Sequence, residues 1–369
     1  MELVLPEHIK FGQSLTAPVD INLSDSCAQG VALNTLVELA GEAWFERELS
    51  YSPMAGSDML RAAIKAYHLQ PQVVLSQEQI VTFSGAQEAI FTVMAQLLSP
   101  QDEVLVFTPS YPSLAKLPTQ FDAVVKSIPL QANNQWQFDI ERLKREANAK
   151  TKLIIINAPH NPTGATLSDK DVEEIKRLAQ HFDAYILSDE VSAQRADDAR
   201  IASGRFADYA KSITLGVLSK SLGLPGVRVG WAICGNKALA DLLLAGKSYL
   251  SICGSQVDDM LASTALNHSD IILKENAKIM ARNEAAMCEF VRQHSHKVSW
   301  VAPQGGVLSL LQIHSIKDAK SWSRQFAEAT STLLLPANLF VMNSECHFRL
   351  GTGKQSFIEG LTRLESYLQ

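Results

Sequence analysis

Lys220 stands between an apolar β-branched run, residues 213–218, and the bend Gly223-Leu224-Pro225-Gly226, so the sequence puts one amine at the end of a buried strand. Loss of hydration lowers the pKa of such an amine and leaves a nucleophile toward carbonyl carbon, as a Schiff-base lysine requires. Arg228, across the bend, is a guanidinium that could clamp a phosphate. Ser84-Gly85-Ala86 forms a small-residue turn between a strand, 79–83, and a helix running to about 98; the open N–H groups of a helix start suit a phosphate. Tyr111 follows the strand 103–107 in a loop, where a ring could stack on a flat heterocycle. Asn161 precedes Pro162, which holds it extended and fixes where its amide points. Asp189 closes the apolar strand 184–188, where an acid costs desolvation unless a cation meets it. Taken singly, each has a plainer reading: a solvated loop lysine, a surface arginine, a packing tyrosine, an ordinary turn.

The elements that would carry these residues alternate. Strands at 123–128 and 152–157 bracket a helix near 138–147, and a helix at 168–181 carries Ser168 as N-cap with Asp169 and Asp171 in its first turn. This is the β-α-β rhythm of an α/β fold, a mainly parallel doubly wound sheet. Beyond Trp231 the periodicity predicts helices at 236–247 and 257–292, then a smaller α/β unit. Residues 1–45 begin loosely and then place Leu33, Leu36, Val37 and Ala40 at helical spacing. With 369 residues, 46% apolar and 20% charged, the chain is a globular protein of about two domains. A net charge of −6 without a basic run argues against nucleic acid as partner. Cys27, Cys234, Cys253, Cys288 and Cys346 are odd in number and contain no CxxC pair, which favours a reducing compartment and no structural zinc or other metal. No signal-peptide pattern and no apolar run of about 18 residues is visible, so no membrane is expected and the expected location is cytoplasmic.

The residues Ser219-Lys220-Ser221 with Arg228, Pro159-His160-Asn161-Pro162-Thr163-Gly164, Asp189, Tyr111, and Tyr51 in the context Tyr-x-x-x-x-Gly-x-x-x-Leu-Arg come in one order. So do Pro303-Gln304-Gly305-Gly306 and Arg349. Together they resemble the class I/II aminotransferases, pyridoxal 5′-phosphate enzymes of fold type I, from about residue 20 to the C-terminus. The resemblance implies that Lys220 is catalytic and holds the cofactor as a Schiff base. It implies cofactor contacts from Gly85, Ala86, Tyr111, Asn161, Asp189, Ser219, Lys220 and Arg228, with Asp189 against the pyridinium nitrogen. Tyr51 would reach the partner's phosphate in a homodimer. Arg349, helped by Asn161, would grip the substrate α-carboxylate. A large domain would span 46–270, and a small one would join 1–45 to 271–369. The implied reaction moves an amino group between an α-amino acid and a 2-oxo acid. A β-eliminating lyase, an amino-acid cyclase or oxidase of the same fold, and a binding module without turnover are the alternatives. Three positions and one stretch depart from the family pattern. Val217 stands where a Ser or Gly is usual, Ser192 where a tyrosine is usual, and Val307 where an aromatic is usual. Residues 23–29 replace a Gly-x-Pro turn near the substrate.

Overall fold

The computed structural model describes residues 3–41, 48–68, 75–193 and 204–369. The expected domain boundary between residues 45 and 46 lies outside them. A seven-stranded sheet runs in the order Ile80–Phe83, Gly230–Cys234, Ser212–Val217, Tyr185–Asp189, Thr151–Asn157, Glu103–Thr108, Val124–Pro129. Every pairing from Ser212–Val217 to Val124–Pro129 is parallel. Gly230–Cys234 is antiparallel to both of its neighbours. The other six strands therefore point the same way and deliver their C-terminal ends to one edge.

Alternation of side chains loads both faces of this sheet. Val104 and Val106 point into a layer with Val93, Met94 and Leu243, while Leu105 and Phe107 point into a layer with Ile154, Ile175 and Ile186. The helix Asp169–His181 has Ser168 as N-cap, as expected, and Asp171 closes a capping box with it, each side chain accepting from the other's backbone N–H.

One helix is two. The stretch expected to be continuous over 257–292 divides into Gln256–Asn267 and Ser269–Gln293, with His268 off helical geometry at φ −114° and ψ 21°. Asn267, Ser269 and Asp270 offer the backbone competing hydrogen bonds, and the apolar spacing on either side hides that break.

The C-terminal part forms a four-stranded antiparallel sheet in the order Leu335–Pro336, His347–Gly351, Leu308–Ile313, Val298–Trp300. The strand Ile21–Asn22 pairs parallel with Thr332–Leu333, and Ile21 and Leu23 pack with Phe348, Leu350 and Phe357. The N-terminal segment is thus built into the C-terminal one. Residues 7–13, expected to be loose, form the helix Glu7–Gln13, anchored by buried Phe11 against Leu335, Leu339 and Phe340. Among the described residues, no helix is long and apolar enough to cross a membrane.

Candidate active site

The loops that leave the C-terminal ends of the parallel strands meet at one cavity of about 210 Å³. Ala86, Tyr111, Asn161, Asp189, Ser219, Lys220 and Arg228, separated widely in the chain, all line it. A larger hollow of about 650 Å³ beside Ser168 and Arg205 contains none of them.

At one end the backbone turns through Gly85, whose φ of +79° suits glycine, into the helix Ala86–Leu97. Arg228, itself left-handed at φ +54°, donates through NH2 to the Ser84 carbonyl at 3.3 Å and through NH1 to that of Pro225 at 3.2 Å. A Cβ on Gly85 would lie 2.5 Å from that NH2, so only glycine leaves the guanidinium beside the helix start. A helix N-terminus and a neighbouring guanidinium form a cradle for a phosphate.

The other end is organised around Asp189, 3% exposed at the end of its strand. Burial pushes its carboxyl up to about 6, against a smaller lowering influence from Lys220. A protonated ring nitrogen placed against it would return the carboxylate to its charged form. Asn157, which no motif singles out, knits the site: its amide donates to the Asp189 carbonyl at 2.9 Å, and its oxygen accepts from the Asn161 N–H at 2.6 Å. Tyr111 donates to Gln87 Oε1 at 3.2 Å, which holds its ring over the cavity.

Lys220 is partly buried, and desolvation pulls its amine below the usual lysine range. Its Nζ donates to Ser26 Oγ at 2.6 Å. Ser26 belongs to residues 23–29, the stretch that departs from the family pattern.

Arg349 is 7% exposed, and burial draws its guanidinium down to about 10. NH2 donates to the Ser24 carbonyl at 2.9 Å, NH1 approaches Asn161 Oδ1 at 3.5 Å, and the ring of Phe340 lies 4.4 Å away. Its Nε is buried without a hydrogen-bond partner, and among the described residues Asp25 acts on it only through space, its carboxylate facing Lys354 instead. A buried cation in that state is ready for an incoming anion.

Of the expected site residues, Tyr51, Gly85 and Arg349 are not among those that line the cavity. Tyr51 is 87% exposed. Ser192 lines the cavity, where a tyrosine would bring a phenolic hydroxyl; neither Tyr185 nor Tyr209 is among the lining residues, and the Tyr209 hydroxyl donates to the Ala184 carbonyl at 2.7 Å. His8, on the helix that the sequence did not show, packs 5.5 Å from the Tyr111 ring and 5.8 Å from that of Phe340. Burial and the charges of Arg349 and Lys220 lower it to about 4. A histidine in a loosely patterned N-terminus has no signal that would place it there.

The family model for aminotransferase class I and II matches residues 28–359. Capreomycidine synthase of Streptomyces vinaceus is 27% identical over 288 residues, 78% of this chain and 73% of that protein. An aspartate aminotransferase of Thermotoga maritima is 26% identical over 324 residues, 87% of this chain and 84% of that one. The crystal structure of a PLP-dependent aminotransferase from Streptococcus suis superposes with a TM-score of 0.91 at 27% identity, covering 100% of this chain and 98% of the other. Strand-end loops that bring a lysine, an aspartate and a phosphate cradle to one cavity, inside a fold shared over its whole length, have one explanation: the chain belongs to the class I and II aminotransferases, enzymes that use pyridoxal 5′-phosphate.

Proposed function

We propose that this enzyme is an aminotransferase that moves an amino group between an α-amino acid and a 2-oxo acid, with Lys220 as its catalytic residue. The observation that carries the proposal is Arg349: a buried guanidinium with an orphaned Nε and, among the described residues, no carboxylate ion pair, its NH1 3.5 Å from the Oδ1 of Asn161, which lines the cavity that also holds a desolvated lysine. That arrangement suits the α-carboxylate of an amino acid.

The residues fit the cofactor. The Gly85–Ala86 helix start, Ser219 and Arg228 would hold its phosphate, Tyr111 would cover its ring, Asn161 would donate to its phenolic oxygen and Asp189 would keep its ring nitrogen protonated. When bound, pyridoxal phosphate supplies a sink for the electron pair left at the substrate's Cα. Arg349 orients the α-carboxylate, and the Lys220 amine takes up and returns the Cα proton.

Exposed Tyr51, with Leu49, Tyr249, Leu250 and Ile252 also exposed, supports a homodimer in which Tyr51 completes the neighbour's phosphate site. Light scattering at micromolar concentration should then give twice the chain mass of 40.4 kDa, and an active monomer would contradict it. The pairing of Ile21–Asn22 with Thr332–Leu333 supports a small unit of 1–45 and 271–369 beside a large unit of 46–270. The five free cysteines suit a reducing, cytoplasmic setting.

Residues 23–29 favour a second reading, cyclisation or oxidation of an amino acid, because they place Ser26 rather than a Gly-x-Pro turn against the lysine. One experiment separates the two. Holoenzyme incubated with amino-acid pools, followed by mass spectrometry, should form 2-oxo acid beyond a single equivalent per site only when a 2-oxo acid acceptor is present. A cyclised product, or an oxidised one formed over repeated turnovers with dioxygen and no 2-oxo acid acceptor, would overturn transamination.

A further inference from the structure

We propose that Ser26 is the positioning residue for the free amine of Lys220, holding it by an Nζ–H to Oγ hydrogen bond so that its lone pair is presented to the substrate's Cα. The proposal deepens the reading of Lys220 as the group that carries the Cα proton, and it rests on that reading.

The contact itself is 2.6 Å long, and it joins residues 194 positions apart. Its neighbours are committed elsewhere. The Asp25 carboxylate accepts from the Cys27 N–H at 2.9 Å and faces Lys354 Nζ at 3.5 Å. Burial raises the Cys27 thiol, which keeps it a neutral neighbour. Arg349 is a cation and cannot accept from an ammonium, Asp189 acts on the amine through space without a hydrogen bond to it, and His8, whose imidazole is lowered to about 4 and so stays neutral, leaves its buried Nδ1 without a hydrogen-bond partner.

The segment that carries Ser26 is clamped at both ends. Ser24 Oγ donates to the Arg349 carbonyl at 2.5 Å and accepts from the Leu335 N–H at 2.7 Å, while its own carbonyl takes Arg349 NH2. The Ala28 N–H donates to the Lys220 carbonyl at 2.9 Å, and the Ala28 carbonyl accepts from Lys354 Nζ at 2.8 Å. Ser26 thus sits between one anchor on the Arg349 strand and another on the Lys220 loop. Its hydroxyl is fixed relative to both groups that must meet the substrate.

The chemistry needs such a partner. A lysine has four rotatable side-chain bonds, and a desolvated amine without an acceptor has no preferred direction. With one N–H spent on Ser26, the neutral amine keeps its lone pair for the Cα proton. When that C–H bond breaks, the electron pair stays on carbon and the proton forms a third N–H bond on Nζ. The resulting ammonium still donates to Ser26 while it returns the proton.

The test uses Ser26→Ala and Ser26→Thr against the unaltered protein. In the apoprotein, acetylation of Lys220 by acetic anhydride is followed against pH by mass spectrometry. Ser26→Ala should move the midpoint of that profile downward, because an acceptor that favours the charged amine is gone, and Ser26→Thr should leave it in place. In the holoenzyme, exchange of the donor's Cα proton in deuterium oxide should slow on the order of 100-fold in Ser26→Ala, the cost of an amine about 1 Å out of place. KM should stay the same, and threonine should restore the rate. An unmoved acetylation midpoint would overturn the contact, and a loss confined to KM would show that Ser26 merely shapes the pocket. A moved midpoint in a protein whose unaltered form exchanges no Cα proton would uphold the contact and overturn the proposed role of Lys220 instead.

Discussion

Lys220→Ala protein emerges colourless, carries no cofactor after borohydride reduction, and turns over its amino donor more slowly by on the order of 10⁴-fold, since both the attachment point and the proton carrier are gone. The reason that no other lysine substitutes is geometric. Lys247 is fully buried, but its amine donates to the Met54 carbonyl at 2.6 Å and lies 5.7 Å from the Phe83 ring, outside the cavity. Lys354 is held by the Ala28 carbonyl and by Asp25. Peptide mapping of the reduced unaltered protein should find the cofactor on Lys220, and a label on any other lysine would sink the assignment.

Arg349→Lys should separate substrate from cofactor. Lysine keeps the charge but gives up the planar fork, so a bidentate, charge-assisted grip on a carboxylate becomes a point contact, a loss of roughly 1.5–3 kcal/mol. By the same conversion the donor's affinity falls about tenfold to a hundredfold. Cofactor affinity should not change, because Arg349 is tied to Ser24 and Asn161 and has no place at the phosphate cradle. The expected result is read in a spectral titration of the holoenzyme with donor. Equal affinities in the two proteins would place the α-carboxylate on another group.

Much of this site is legible in the chain because each of its main residues follows an apolar strand. Lys220, Asp189, Tyr111 and the Gly85 turn all stand where a buried strand ends, and parallel strands bring their ends together without any further instruction. The N-cap of Ser168 is equally local: its side chain accepts from the Asp171 N–H, one helical turn on. What could not be read depends on contacts between distant segments. Ser26 is an ordinary loop serine until the strand Ile21–Asn22 docks beside Thr332–Leu333 and aims it at Lys220. His8 belongs to a helix of seven residues, too short to hold itself together in water, which exists because Phe11 finds an apolar seat. The break at His268 was hidden for the opposite reason, since strong apolar spacing on both sides outweighed a local signal of only a few polar residues.

The clamped segment around Ser26 also dictates when the site can be completed. Residues 22–29 are made long before anchors that include Leu333, Leu335, Arg349 and Lys354. Contacts that close loops of this length form late in folding, because the chain loses closure entropy before they repay it. The parallel sheet and Lys220 can therefore be in place while the N-terminal segment still waits for its seat. A nascent chain, or a truncation that stops short of Gly351, carries the amine without the hydroxyl beside it.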